Sequence, residues 1–225
     1  MSSTRATDIE IRRLGLGEYV EIWREMQRFT DNRDESTPDQ IWLLQHPPVF
    51  TQGQAGRAEH LLSPGEIPVV QSDRGGQVTY HGPGQLVGYP IVDLDPDRRD
   101  LRRYVRDLSA TLVDTLAGYA VESRPGEGER IGVWCDDRKI ASIGIHLSRW
   151  ITTHGFALNV ATDLGFFGGI VACGLTDVRT TTLARERGGE APPLEEVAAR
   201  FAERFARRFE RVPRFVDLPR LAESP

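Results

Sequence analysis

The chain has almost no lysine. Of its 28 basic residues, 27 are arginine and only Lys139 is lysine. A guanidinium stays protonated at any working pH, whereas an amine can be tuned to release its proton, so Lys139 is a candidate for proton transfer. A solvated surface lysine is the alternative. Cysteine is nearly as scarce: Cys135 and Cys173 are too few for a disulfide framework and show no metal-ligand spacing, so reduced thiols are expected. No charge-free apolar run is long enough to span a bilayer, and Met1 to Asp8 hold no apolar signal-peptide core. The expected location is cytoplasmic, with no membrane partner. His46, His60, His81, His146 and His154 are irregularly spaced, with no helical pair and no cysteine cluster nearby, which excludes a zinc motif. Neither a serine nucleophile elbow nor a Walker-type phosphate loop occurs. A net charge of −5 argues against a general nucleic-acid binder and leaves room for local basic patches.

A length of 225 residues suffices for a substantial core in one domain, 1–225, with fraying expected at 1–7 and 221–225. Ile9 to Leu14 reads as a strand, and Glu18 to Phe29 as an amphipathic helix with Tyr19, Ile22, Trp23, Met26 and Phe29 at helical spacing. Strands follow near Ile41–Leu44, Pro68–Gln71, Val78–Tyr80 and Leu86–Val92. A second helix is expected over Asp97–Ala117, opened by an acidic cap and closed by Gly118. Strands dominate from Ile131 to Val160, and Leu194–Phe209 forms a closing helix with Val197, Phe201, Phe205 and Phe209 as its apolar stripe. The order is not a strict βαβα alternation, so the fold class is α/β (α+β): a mixed β-sheet flanked by helices.

The most informative segment is 74 to 89, Arg-Gly-Gly-Gln-Val-Thr-Tyr-His-Gly-Pro-Gly-Gln-Leu-Val-Gly-Tyr. Glycines let backbone approach a ligand closely, and Arg74 and His81 bring a fixed cation and a titratable imidazole to the two ends of a short strand. A hairpin with loose glycine turns is the plainer alternative. Farther on, Ile131–Cys135 and Lys139–Leu147 read as strands joined by the tight turn Asp136-Asp137-Arg138. Counting by twos from Lys139 reaches Ala141, Ile143, Ile145 and Leu147, which places the amine on an apolar face unless a bulge at Gly144 shifts the register. Burial there favours a neutral amine, suited to general base or acid work. Cys173 lies in Gly168-Gly169-Ile170-Val171-Ala172-Cys173-Gly174, where small neighbours leave a sulfur accessible; a nearby cation such as Lys139 would favour its thiolate. An inert loop cysteine is the alternative, and Cys135, in an apolar strand, fits that description.

Taken with Leu43 to Thr51, Arg138 to Gly144, Thr153 to Asn159 and Cys173-Gly174 in this order, the 74–89 string resembles the lipoyl(octanoyl) transferase family, over about residues 40 to 182. The resemblance implies the fold of biotin and lipoate protein ligases. It implies transfer of an octanoyl group from octanoyl-acyl carrier protein to a lysine of lipoyl-domain proteins, such as the lipoyl domains of 2-oxoacid dehydrogenase complexes and the glycine cleavage H protein. Cys173 and Lys139 would be catalytic, with a Cys173 acyl-thioester intermediate. The acyl site would be lined by Arg74, Gly75, Gly76, Gln77, Val78, Thr79, Tyr80 and His81, by Ser142, Ile143 and Gly144, and by Gly155, Phe156 and Ala157. The family commonly has proline before the cysteine; here Ala172 stands there, which leaves that turn less constrained.

A thioester donor already carries the group-transfer free energy, so no cofactor, ATP or metal is expected. Arg98, Arg99, Arg102, Arg103 and Arg106 on the second helix could attract an acidic carrier protein; a solvated face balanced by Asp95, Asp97, Asp100 and Asp107 is the alternative. Two other functions compete: an ATP-dependent lipoate or biotin ligase, which would not need Cys173, and a noncatalytic acyl-binding protein, which would tolerate its replacement.

Overall fold

The computed structural model describes residues 8–95, 98–128, 130–171 and 178–216. In chain order its longer elements are β1 (Asp8–Leu16), α1 (Tyr19–Asp31), β2 (Asp39–Gln45), β3 (Val49–Gln52), β4 (Val69–Gln71), β5 (Val78–His81), β6 (Gln85–Ile91), α2 (Leu101–Ala117), β7 (Arg124–Pro125), β8 (Val133–Cys135), β9 (Arg138–Ser148), β10 (Ile151–Asn159), β11 (Arg179–Thr180), α3 (Leu183–Glu186), α4 (Leu194–Arg208) and β12 (Val212–Val216). The main sheet runs β12-β1-β2-β6-β10-β9-β8-β7, with β11 paired to β9; a smaller sheet runs β4-β3-β5. β12, β1 and β2 are mutually parallel, and β2, β6, β10, β9 and β8 continue antiparallel.

Alternation along the strands decides the layering. In β2, Ile41 and Leu43 enter one core while Trp42 and Leu44 enter another; in β6, Leu86 separates in the same way from Val87, Tyr89 and Ile91. Each strand thus presents apolar side chains to both faces, as a sheet covered on both sides requires. Leu108, Leu112 and Leu116 of α2 and Val197, Phe201 and Phe205 of α4 close the first face, and Ile22 and Met26 of α1 close the second. The small sheet has a core of its own, formed by Phe50, Val78 and Tyr80 with Phe167 and Ile170. None of the helices among the described residues is long and apolar enough to cross a membrane.

The second helix begins at Leu101, later than expected. Its cap is Asp100, whose carboxylate accepts the Arg103 N–H at 2.9 Å, an interaction that satisfies one of the open amides of the first turn. Arg98 and Arg99 therefore precede the helix, Arg99 being held by Asp95 and Arg98 lying 4.0 Å from Asp107, so only Arg102, Arg103 and Arg106 ride on it. Ile131 likewise falls outside its expected strand, which starts at Val133. β7, β11, α3 and β12, of two to five residues, were not expected, because elements so short carry almost no periodic signal.

Phe201 is fully buried, with its ring centroid 4.3 Å from that of Phe156 and 5.8 Å from that of Phe205. Phe201→Ala is expected to destabilise the protein by about 3–5 kcal/mol, through lost transfer energy and the residual cavity. Urea unfolding at constant slope checks this; a loss below about 1 kcal/mol would show that α4 collapses freely onto the sheet.

Candidate functional site

The site grows from the segment after β4. Arg74 is buried and spends its guanidinium on protein oxygens: Nε donates to Thr51 Oγ1 at 3.1 Å, Nη2 to the carbonyls of Thr51 at 2.5 Å and Gln77 at 2.7 Å, and Nη1 to the Gly75 carbonyl at 3.0 Å. The cation therefore shapes the 74–77 loop and ties it to β3. The loop in turn meets the main sheet backbone to backbone: the Gly75 N–H donates to the Ile145 carbonyl at 3.0 Å, and a Cβ on Gly144 would lie 2.8 Å from the Gly75 oxygen. No side chain fits between these two segments.

Beside this contact opens a cavity of about 610 Å³. Gly75, Gly76, Gln77 and Thr79 line one wall with Arg74, Ser142 to Ile145 of β9 form another, and Leu101 and Val105 of α2 with Ile131 form a third. Arg57 and His60 also reach it. A second space of about 30 Å³ shares Arg74, Thr79, Ser142 and Gly144 with the first and is completed by Tyr19, His81, Tyr89, His154, Gly155, Phe156 and Ala157. Such a chamber, mostly apolar with convergent polar groups, suits a small amphipathic ligand. Of the residues expected to line the acyl site, Val78 and Tyr80 line neither space. β5 alternates, so Thr79 and His81 face inward while Val78 and Tyr80 enter the core of the small sheet.

The buried imidazoles are arranged as neutral donors and acceptors. His81 Nδ1 is 2.8 Å from Gln85 Oε1, and its Nε2 is 3.2 Å from the Thr51 hydroxyl. Gln85 donates its amide elsewhere, to the Tyr80 carbonyl and Asn159, so its oxygen receives the His81 Nδ1 proton and Thr51 donates to Nε2. His46 Nδ1 donates to the Gly17 carbonyl at 2.6 Å, and its Nε2 lies 2.8 Å from the Tyr89 hydroxyl. Burial pulls His46 down to about 4, and lowers His81 well below its ordinary value with His46 as a second cause. His154 is lowered too, by burial that outweighs its bond to Asp73. For Asp73 burial acts upward, yet the 2.6 Å bond from His154 Nε2 helps bring it below the usual carboxylate value. His154 adopts a φ of +56° within β10, an uncommon conformation for a non-glycine residue and one that clusters at functional sites.

Lys139 is buried at the start of β9, with Nζ 5.5 Å from the centre of the Trp134 ring. The register against β10 is unbroken through Gly144, but opposite β8 it shifts between Lys139 and Ala141, which leaves Ile140 as the extra residue. Counting by twos therefore holds from Ala141 onward and does not extend across the bulge to Lys139. Cys135 is buried, and its thiol is pushed up to about 12 chiefly by that burial, in keeping with an inert role. Cys173, with the rest of 172–177, lies outside the described residues. Its flanks are placed. Val171 N–H donates to the His60 carbonyl at 2.9 Å, on the cavity wall, and Thr180 pairs with Lys139 while the Thr181 N–H donates to the Lys139 carbonyl at 3.0 Å.

Arg57, His60, Leu101, Val105 and Ile131 were not singled out in the sequence. Leu101 and Val105 stand four apart on a helix and read as ordinary core, and nothing local marks Arg57 or His60 as wall residues.

Residues 18–206 match the model of the lipoyl protein ligase A/B catalytic domain. An octanoyltransferase of Shewanella amazonensis is 50% identical over 170 residues, 76% of this chain and 78% of its own. Among solved structures, lipoate-protein ligase A bound with ATP aligns over 93% of this chain and 90% of its own with a TM-score of 0.79 at 15% identity. The biotin protein ligase of Aquifex aeolicus aligns over 90% and 68% with a TM-score of 0.53 at 12% identity. These two likenesses show a shared fold, the mixed sheet flanked by helices.

In an unfolded chain each histidine takes up its proton near pH 6.5, whereas folded His46 does so at about 4 and His81 and His154 are also lowered. Between these values the unfolded chain binds more protons, so stability is fully present above about pH 6.5 and is lost as pH falls toward 4, by on the order of 3 kcal/mol for His46 alone. Urea midpoints measured across that window should flatten in His46→Gln; an unchanged slope would assign the pH response to other groups.

Proposed function

The chain belongs to the octanoyltransferases of the lipoyl protein ligase A/B catalytic family, and from that premise we propose that it moves the octanoyl group through a Cys173 acyl-enzyme with Lys139 as the proton-transfer partner. The observation that supports this dyad is the anchoring of the segment bearing Cys173: one flank is bonded to His60 on the cavity wall, and the other is paired to Lys139. Eight residues of the sequence, 172–179, lie between Val171 and Thr180, and Cys173 is among them.

The donor is octanoyl-acyl carrier protein and the acceptor a lysine of a lipoyl domain. Cys173 thiolate attacks the thioester carbonyl. The bond to the carrier's pantetheine sulfur breaks, and that sulfur leaves as a thiolate that takes from Lys139 the proton Cys173 had given up. The acceptor amine then attacks the acyl-cysteine; a C–N bond forms, the C–S bond to Cys173 breaks, and Lys139 receives the proton the amine gives up. Ile143 and Phe156 offer the acyl chain apolar surface, and each methylene they cover is worth about 0.8 kcal/mol. Arg102 and Arg106 are exposed and directly follow the cavity-lining Leu101 and Val105 in α2, and positive charge there can steer an acidic carrier.

Incubation with octanoyl-loaded carrier, without ATP or acceptor, should add one octanoyl group to the Cys173 peptide by mass spectrometry, and Cys173→Ser should add none. Lys139→Ala should lower transfer at least about 10²-fold. No adduct on a donor-binding protein, together with pyrophosphate exchange into ATP, would replace this reading by a ligase mechanism. Charge reversal of Arg102 and Arg103 should raise the Michaelis constant for the carrier-bound donor and leave transfer from a small octanoyl thioester unchanged; an unaltered constant would remove α2 from the docking surface.

A further inference from the structure

We propose that Gly132 and Trp134 are positioning residues, forming a slot that holds the ε-amine of Lys139 where acyl transfer requires it. The inference rests on the reading of Lys139 as proton-transfer partner. A lysine side chain is a flexible four-carbon stem, and it can serve a reaction repeatedly only if its rotamers are restricted before the substrate arrives. The surroundings of Lys139 supply that restriction from two sides.

On one side stands the Trp134 ring, 1% exposed, with the Lys139 Nζ 5.5 Å from its centre. The ring is itself fixed: its Nε1 donates to the Arg130 carbonyl at 2.8 Å, and the Arg130 guanidinium carbon sits 4.1 Å from its centre. Cation–π attraction draws an ammonium toward such a ring. On the other side is bare backbone. A Cβ at position 132 would fall 2.6 Å from Lys139 Cε and 3.3 Å from Nζ, so the end of the lysine occupies the volume that a side chain there would need. Gly132 has a φ of +136°, and its carbonyl accepts the Gly126 N–H at 2.9 Å, which fixes its backbone. The Ile140 bulge completes the arrangement by setting Trp134 opposite Lys139 in the ladder. Glycine, bulge and indole thus converge on one side chain, which a purely structural lysine at a strand end would not require.

Because Lys139 is the sole lysine, the protein labelled with [¹³C]lysine gives a single side-chain ε-methylene signal. Protons near an aromatic face resonate upfield, so this signal should lie upfield of free lysine, stay there in Trp134→Phe, and return toward the free value in Trp134→Leu. Gly132→Ala should also move it. That Cβ would additionally meet the Ala141 carbonyl at 2.4 Å, and the Trp134 pair keeps the test decisive if the alanine variant does not fold. In kinetics, Trp134→Leu should lower the turnover number about tenfold with the donor Michaelis constant little changed, and should have less than about a twofold effect in a Lys139→Ala background. A signal at the free-lysine position in the unaltered protein, one that ignores Trp134→Leu, or equal kinetic losses in both backgrounds would overturn the slot. Full activity of Lys139→Ala would instead overturn the reading of Lys139 and so the slot's part in transfer, while the resonance would still report the slot itself.

Discussion

The chamber depends on a buried cation that never acts as one toward solvent. Arg74 is enclosed, and taking a guanidinium out of water is costly unless its donors are matched. Here they meet the Thr51 side chain and carbonyl and the carbonyls of Gly75 and Gln77, so the charge is distributed over backbone dipoles from β3 and from the loop it belongs to. That network sets the path of residues 74–77, and the path sets everything adjacent: Gly75 reaches Ile145, Gly76 and Gln77 become wall, and Thr51 is left to donate its hydroxyl proton to His81. Removing the guanidinium would leave several buried carbonyls unpaired at once, so its role in shaping the site and any role it has toward a ligand are coupled.

The imidazoles extend the same logic. Burial lowers the pKa of His46, His81 and His154, and in His46 and His81 one ring nitrogen donates while the other accepts. Tyr19, lying flat against His81 at 5.9 Å between centres, and Tyr89, edge-on to His154 at 5.9 Å, fill the remaining volume. The smaller space is thus partly lined by polar side chains, and His81, Tyr89 and His154 among them are held in hydrogen bonds within the protein.

Much of this fold was legible in the chain, and the reasons are specific. The stripe Val197, Phe201, Phe205 and Phe209 announces α4 by its spacing, and the strand pairs around Leu86 and Ile140 by alternation. The start of α2 was misplaced because several acidic residues precede Leu101 and any of them is an acceptable cap; only the backbone selects Asp100. The site residues from Arg74 to His81 were legible as a group, but which of them face inward follows from the register of β5 with β3. Arg57, His60, Leu101 and Val105 were not legible, because a cavity wall is assembled from segments distant in sequence, and each segment looks like surface or core when read alone. Lys139 was found through its rarity, and Gly132 and Trp134 were overlooked beside it, since a glycine and an indole ahead of a turn carry no chemical signal until the lysine is seen lying between them.

An ATP-bound ligase shares this fold at 15% identity while the chain belongs with octanoyltransferases, so the fold alone does not choose between the two chemistries. A ligase must activate a carboxylate and needs phosphate contacts to do so, whereas a thioester arrives activated and asks the protein for a nucleophile, a proton partner and exclusion of water from the acyl-enzyme. On the proposed mechanism, the close backbone contact of Gly75 with Gly144 and Ile145 would serve the last demand. An acyl-cysteine open to solvent would be lost to hydrolysis before a lipoyl domain arrived. On the same mechanism Lys139, buried and paired to Thr180, would be the base for the incoming amine, and Leu101, Val105 and Ile143 of the cavity wall would keep the surroundings apolar. On that reading the fold provides the chamber, and the proposed pairing of one restricted amine with one thiol would make it a transferase site.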